Sequence, residues 1–347
     1  MGVDLETARP ALARFLATAA GADRAEILTV EKLSGGAIQN NYGLDLELEG
    51  GPMAGRHALV LRTDAPSVIA ESHGRAEEFA LLKVAYGGGV RVPEPLWLCT
   101  DLAVLGQDFY LMRRIGGAAA GHIVTKAVAE QGDGSDLAAA LAQEMAKIHR
   151  IVPECPGVES LAFLGASTAD PAGAAIARLR GHLDRHPLSH PALEWGFRWA
   201  ELNKPSDFKI SLIHNDFRTG NYMVNEGKLM AVLDWEFASW GDPMADLGWF
   251  CAKCWRFGAP GDAGGIADRE TFYAAYERAS GQAVNNDRVF YWEVMAHLRW
   301  AVTAILQGER HVTGGEISLD LALTGRRPAE LELEILHMIQ NVDGRKG

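Results

Sequence analysis

The chain is 347 residues long, 48% apolar and 22% charged, with a formal net charge of −12. That length allows two domains with separate cores, and the composition excludes wholesale disorder. The acidic balance argues against a phosphate-backbone partner, leaving solubility or a cationic small molecule as its readings, and no apolar run reaches the length of a membrane span.

In chain order, residues 4–20 place Leu5, Leu12, Phe15 and Leu16 at helical spacing, a weakly amphipathic helix. No basic segment followed by an apolar core precedes it, so a secretory leader is not expected, and Glu6 breaks the Gly2 myristoylation pattern. Strand-like runs follow at 27–33, 42–48 and 57–62, with Gly50-Gly51-Pro52 as the turn between the last two. A helix over 75–86 ends in three glycines, and 94–99 and 108–112 are again extended. Small residues at 116–121 read as a connection.

Beyond it the chain reads as mostly helical, at 136–151, 244–255, 271–280, 290–307 and 328–339. The helix PALEWGFRWAEL carries Trp195, Phe197 and Trp199, either as core or as lining of an acceptor pocket. Short strands at 212–213, 222–224 and 229–233 interrupt the helices. The expected class is α+β, a small antiparallel sheet followed by a larger helical part. Four cysteines are too few for a disulfide scaffold, and Cys251-x-x-Cys254 has no second pair at zinc spacing. They read as buried helical thiols of a reduced, cytoplasmic protein.

The segment IHNDFRTGNYMVNEGKLMAVLDW, residues 213–235, carries the chemistry. It sets His214, Asp216 and Asn221 in the pattern H-x-D-x-x-x-x-N, and an apolar strand then delivers Asp234. Phosphoryl transfer needs a carboxylate to orient the attacking hydroxyl and oxygen ligands to hold Mg²⁺ on the nucleotide phosphates. Asp216 suits the first need, and Asn221 and Asp234 the second. Residue frequencies put this coincidence at on the order of one chain in a thousand. His214 either orients its loop by hydrogen bonds or moves a proton. Asp246 either caps a helix or braces that loop. Gly35 and Gly36, between two strands, let backbone N–H groups approach phosphate oxygens where a Cβ would intrude.

With LSGGAIQ, LVLRTDAPS, HNDFRTGN and GDPMADL in this order of elements, the chain resembles the aminoglycoside phosphotransferase family, and most closely a bacterial branch of it. The resemblance implies a two-lobed, protein-kinase-like fold: a nucleotide-binding lobe with a leading helix over 1–114, and a helical lobe with the catalytic loop and acceptor site over 115–347. It implies Asp216 as the catalytic carboxylate, Arg218 as a cation for the transferred phosphate, and Asn221 and Asp234 as Mg²⁺ ligands. Met112 and Arg114 would bound the hinge that meets the nucleotide base, and Asp246 would brace the catalytic loop.

Arg62 stands where such folds offer a Lys to the α- and β-phosphates, and its partner is Glu77 or Glu78, with Glu78 favoured by spacing. An Arg keeps the charge and adds a bidentate fork without being an interchangeable cation. The expected activity is transfer of the γ-phosphate of ATP or GTP, with Mg²⁺, to a hydroxyl of a small molecule. The alternative is a nucleotide-binding pseudokinase with a regulatory or partner-binding role. No nucleic-acid or membrane partner is expected.

Overall fold

The computed structural model describes residues 4–33, 39–64, 72–206 and 208–343, so Gly35 and Gly36 lie outside the described residues. Helix α1 (Leu5–Ala20) is capped by Asp4, whose carboxylate accepts from the Glu6 and Thr7 N–H groups at 3.1 and 3.2 Å. Its stripe of Leu5, Leu12, Leu16 and Ala20 is buried. Next come β1 (Arg24–Lys32), β2 (Gln39–Glu49), β3 (Gly55–Asp64), α2 (Arg75–Gly87), β4 (Pro95–Cys99), α3 (Leu102–Leu105) and β5 (Phe109–Arg113). The strands form one antiparallel sheet in the order β1-β2-β3-β5-β4.

Side-chain alternation along β3 positions the first functional residue. Leu59 and Leu61 join Leu12, Leu16, Leu44, Leu46, Phe109 and Leu111 in the core on the α1 side of the sheet. With a period of two, Val60 and Arg62 must face the other way, towards α2. Thus Arg62 is buried although it is charged, paired across the ladder with Tyr110.

The remaining elements are α4 (Gly121–Gln131), α5 (Ser135–Ile148), α6 (Pro171–Leu183), α7 (Pro191–Leu202), β6 (Ser211–Ile213), β7 (Tyr222–Asn225), β8 (Lys228–Val232) and β9 (Ser239–Gly241), followed by α8 (Met244–Cys251), α9 (Arg269–Ser280), α10 (Asn286–Val312), α11 (Leu319–Thr324) and α12 (Pro328–Asp343). Two compact units result. One comprises 1–124, 154–165 and 220–238; the other comprises 125–153, 166–219 and 239–347. The first unit takes in the β7–β8 hairpin because Ala118 and Val224 exchange backbone hydrogen bonds at 2.8 and 2.9 Å, and Val232 N–H reaches the Arg91 carbonyl at 2.7 Å. The hairpin itself turns at Glu226 and Gly227, both at positive φ (48° and 74°), the geometry that matches strand twist. In the second unit β6 pairs with β9, α5 packs on α9, and the 27-residue α10 meets α6, α7, α8, α11 and α12.

The single helix expected over 244–255 is corrected. It ends at Cys251, Ala252 is extended (φ −60°, ψ 134°), and a 3-10 turn covers Lys253–Trp255. The break lets Trp249 and Trp255 approach to 5.2 Å between ring centroids. Six residues apart on an unbroken helix they would point about 120° apart. Cys251 and Cys254 are therefore not thiols of one helix. Burial pushes both thiols up to about 12, which disfavours the reactive thiolate. Phe197 is buried, Trp199 stacks on Tyr291 at 5.9 Å, and Trp195 is half exposed. Helices α3, α4, α6 and α11 and strand β9 have no counterpart among the elements expected from the sequence.

Two outcomes follow from this packing. A Cβ on Gly248 of α8 would lie 2.6 Å from Trp292 Cβ and 2.8 Å from the Glu293 nitrogen of α10. Gly248→Val is expected to lower stability by about 2–3 kcal/mol, read as a lower urea midpoint; an unchanged midpoint would mean that α8 and α10 separate freely. A thiol reagent at pH 8 should leave Cys251 and Cys254 unmodified in the folded protein and label them once guanidinium unfolds it.

Candidate active site

In the first unit, Arg62 binds two carboxylates from different elements. Its Nε reaches Glu78 Oε2 at 3.0 Å, and its Nη2 reaches Glu78 Oε1 at 3.0 Å and Asp234 Oδ1 at 2.5 Å. Glu78 comes from α2 and Asp234 from the residues after β8. Burial works against the Arg62 charge, but Glu78, Asp234 and Glu236 outweigh it and push the guanidinium pKa well up. Glu78 also takes Arg75 of its own helix, and Arg75 Nε meets Asp64 at 2.8 Å. Glu77 is used differently: its carboxylate accepts the Gly74 N–H at 2.9 Å and closes the start of α2.

Asp234 sits at φ 67°, a left-handed conformation that Asp tolerates better than most residues. The preceding Leu233 N–H donates to the Asn221 carbonyl at 2.8 Å, so Asn221 and Asp234 are held together at the base of the hairpin. Two residues on, Glu236 is buried and hydrogen-bonded by Gln39 and Ser72. Burial, then the neighbouring Asp234, pushes it up to about 8. Of the expected hinge, the Arg113 and Arg114 N–H groups go to the Glu94 and Ala58 carbonyls, each at 3.0 Å, and the Arg114 side chain pairs with Asp45. Met112 lies in β5, paired with Val60.

In the second unit, the loop after β6 is organised by Asp246 in the first turn of α8. One carboxylate oxygen accepts the His214 N–H and the other the Asn215 N–H, both at 2.7 Å. His149 adds a third contact at 3.0 Å, and its other ring nitrogen meets the Tyr276 hydroxyl at 2.8 Å. His214 is fully buried, and its Nδ1 accepts the Asp216 N–H at 3.3 Å, so the ring turns back on its own loop. Asp216 Oδ1 accepts the Trp249 indole N–H at 2.9 Å and faces Arg218 Nε at 3.3 Å. The Arg218 guanidinium lies over Trp255 at 4.6 Å. Arg299 of α10 reaches Asn215 Oδ1 at 2.8 Å and stacks over Trp249 at 4.5 Å.

Comparison with known proteins gives the family. Residues 29–298 match the model of the phosphotransferase enzyme family. The chain belongs to that family. Within the phosphotransferase enzyme family it is similar to mouse acyl-CoA dehydrogenase family member 10, 26% identical over 292 residues, which cover 79% of this chain and 26% of that protein. Chicken acyl-CoA dehydrogenase family member 11 is 30% identical over 201 residues, 56% of this chain and 25% of that one. The chain thus spans about a quarter of the length of these curated relatives.

Among solved structures, a Ralstonia eutropha JMP134 protein provisionally named an aminoglycoside phosphotransferase superposes with TM-score 0.70 at 21% identity, covering 98% of this chain and 99% of that one. The aminoglycoside 2'-phosphotransferase-IIIa GDP complex gives 0.61 at 18% identity (91% and 94%). Plasmodium vivax ethanolamine kinase gives 0.61 at 13% (89% and 83%). The fold is the expected protein-kinase-like α+β class. Among the described residues no helix is long and apolar enough to cross a membrane.

For this family member, Arg62, Glu78, Asn221 and Asp234 belong to the first unit, and His214, Asp216 and Arg218 to the second. Four further residues escaped the sequence reading. Glu236 follows Asp234 by two and Trp249 follows Asp246 by three on one helix face, so spacing held a signal for both. Gln39 closes the LSGGAIQ motif, while Arg299 had no signal, since only the fold brings α10 to the loop after β6.

Asp246 tests the loop geometry. Asp246→Ala leaves the buried His214 and Asn215 N–H groups without their acceptor and is expected to cost about 3 kcal/mol or more, hydrogen bonds to a charged group being worth about 1.5–3 each. Asp246→Asn, which keeps one acceptor oxygen, should lose less. Chemical denaturation of both variants reads the difference, and equal stability of Asp246→Ala and wild type would remove the brace.

Proposed function

We propose that the chain is a small-molecule kinase that moves the γ-phosphoryl group of ATP or GTP, with Mg²⁺, to a hydroxyl. In this reading residues 1–114 hold the nucleotide, and residues 115–347 hold the catalytic loop and the acceptor. The observation that carries it is the buried Arg62–Glu78 pair, which fixes a cation on β3 for nucleotide phosphates by a carboxylate on α2. A guanidinium so held presents a rigid fork to phosphate oxygens. Neighbours of similar fold are complexes with GDP, with ATP and streptomycin, and with ADP and hygromycin B, which supports a nucleotide co-substrate and a hydroxylated acceptor.

The donor set suits Mg²⁺. Among the described residues no cluster of three or more His, Cys, Asp or Glu forms a protein-only metal cage. The Asn221 side-chain carbonyl and the Asp234 carboxylate are hard oxygen donors of the kind that share Mg²⁺ with nucleotide phosphates. Bound there, the ion would neutralise charge on the phosphates. Asp234 now pairs with Arg62, so the guanidinium stands in for the positive charge at that carboxylate.

Asp216 does not act as a strong base. An alcohol is about as weak an acid as water, roughly 15.7, whereas Asp titrates near 3.9, so early deprotonation is far uphill. In a loose, metaphosphate-like transition state the nucleophile needs little charge. Asp216 therefore orients the hydroxyl and takes its proton late, and Arg218 meets the charge spreading over the transferred group. His214 serves by holding the loop through the Asp216 N–H. The Met112–Arg114 segment is assigned to the nucleotide base, and Gly35 and Gly36 to its phosphates.

The Arg62–Asp234 pair also favours the second reading, a nucleotide-binding pseudokinase in which Arg62 occupies the metal carboxylate. One experiment separates them. Acceptor-dependent formation of ADP from ATP, and of GDP from GTP, is measured with Mg²⁺ across hydroxylated metabolites and antibiotics, alongside thermal shift. The kinase reading expects turnover with at least one acceptor, and a fall of about 100-fold or more for Asp216→Asn, the range of acid–base contributions. Mg²⁺-dependent stabilisation without turnover selects the pseudokinase; Asp216→Asn equal to wild type overturns the role of Asp216.

A further inference from the structure

We propose that Trp249 and Arg299 are positioning residues for Asp216, acting through its Oδ1 and through the backbone of Asn215; this rests on the kinase reading above. A carboxylate at the end of a two-torsion side chain has many orientations, and orienting a hydroxyl requires one of them. Two contacts to Oδ1 restrict the choice: the Trp249 indole N–H at 2.9 Å and Arg218 Nε at 3.3 Å. The indole is the firmer of the two, because Trp249 is 6% exposed and set on α8 beside the loop-bracing Asp246.

Trp249 is itself held. The Arg299 guanidinium lies over its ring at 4.5 Å, and Trp255 packs at 5.2 Å. Arg299 Nη1 also donates to the Asn215 carbonyl at 2.5 Å and to Asn215 Oδ1 at 2.8 Å. Asn215, the residue before Asp216, stands at φ 61°, a left-handed conformation that Asn, like Asp, tolerates better than most residues. Asp246 takes its N–H and Arg299 its carbonyl, so both backbone polar groups of this residue are pinned from the helices. One arginine of α10 thus sets both the backbone entering Asp216 and the ring that holds its carboxylate.

The arrangement is more than packing. Phenylalanine would fill the Trp249 site with most of the same apolar surface, but it has no N–H for Oδ1. Lysine at 299 would keep the charge over the ring while losing the planar fork that stacks and reaches Asn215. The expected losses are therefore in orientation of Asp216 and in kcat, not in nucleotide binding.

Two measurements on the full chain test this. In ¹H–¹⁵N spectra of the indole region the Trp249 resonance, assigned by its disappearance in Trp249→Phe, should move upfield in Asp216→Ala, as expected when a hydrogen bond to a carboxylate is lost. An unmoved resonance overturns the contact, whatever the enzyme's activity. The second is Mg²⁺-dependent ATP turnover with the best acceptor from the screen, or with water where no acceptor responds. Trp249→Phe should lower kcat about 10-fold or more with KM for ATP within a factor of two. Arg299→Ala should do the same, and Arg299→Lys should recover part of the loss. Wild-type kcat in Trp249→Phe, or a rise confined to KM, refutes the positioning role. A wild type with no turnover at all refutes the kinase reading instead, and the indole shift then decides the contact alone.

Discussion

The loop that carries His214, Asp216 and Asn221 depends on one carboxylate. Asp246 projects from the first turn of α8 and takes two successive backbone N–H groups, those of His214 and Asn215, on its two oxygens. Backbone groups in a buried, left-handed segment have no ladder to join, so their desolvation must be offset by a side chain. His149 then holds the carboxylate from α5 and is itself held by Tyr276 from α9. Three helices are thereby committed to the conformation of two loop residues, and Asp216 follows from that conformation as the next residue in line.

The first unit solves a different problem, keeping several charges buried. Isolated ions there would be costly, and each carboxylate is matched. Glu78 is held between Arg62 and Arg75, Arg75 reaches Asp64, and Arg62 reaches Asp234. Glu236 is the exception that shows the limit of this matching. It sits beside Asp234, is hydrogen-bonded by Gln39 and Ser72, and is driven towards its neutral form by burial and by its neighbour.

Elements whose residues report their own environment were legible in the chain. The stripe on α1, the alternation in β2 and β3, and the turn at Gly50-Gly51 are each local consequences of period and backbone freedom. The pattern around Asp216 was legible for the same reason, since loop chemistry concentrates distinctive residue types at short spacing. The break at Ala252 was not, because its cause is the meeting of Trp249, Trp255 and Trp300, the last of them contributed by α10. Arg299 escaped for a like reason. Nothing in its own surroundings on α10 distinguishes it from an ordinary helix-surface cation until the fold brings Asn215 and Trp249 to it. Spacing could rank Glu78 over Glu77, but only geometry separates their uses, one meeting Arg62 and the other closing the start of α2.

Net charge is the sequence feature whose meaning changes most once side chains are in place. At −12 the chain as a whole would suit a cationic acceptor. The groups found next to Asp216, however, are a guanidinium and an indole, with a second guanidinium on the far side of that indole. The buried carboxylate that braces the loop, Asp246, is consumed by backbone N–H groups and His149. Much of the acidity is spent on structure: Asp4, Asp268 and Asp170 cap helices, and Glu293 anchors Arg269. A total dominated by caps and ion pairs carries no information about what lies beside the reacting hydroxyl.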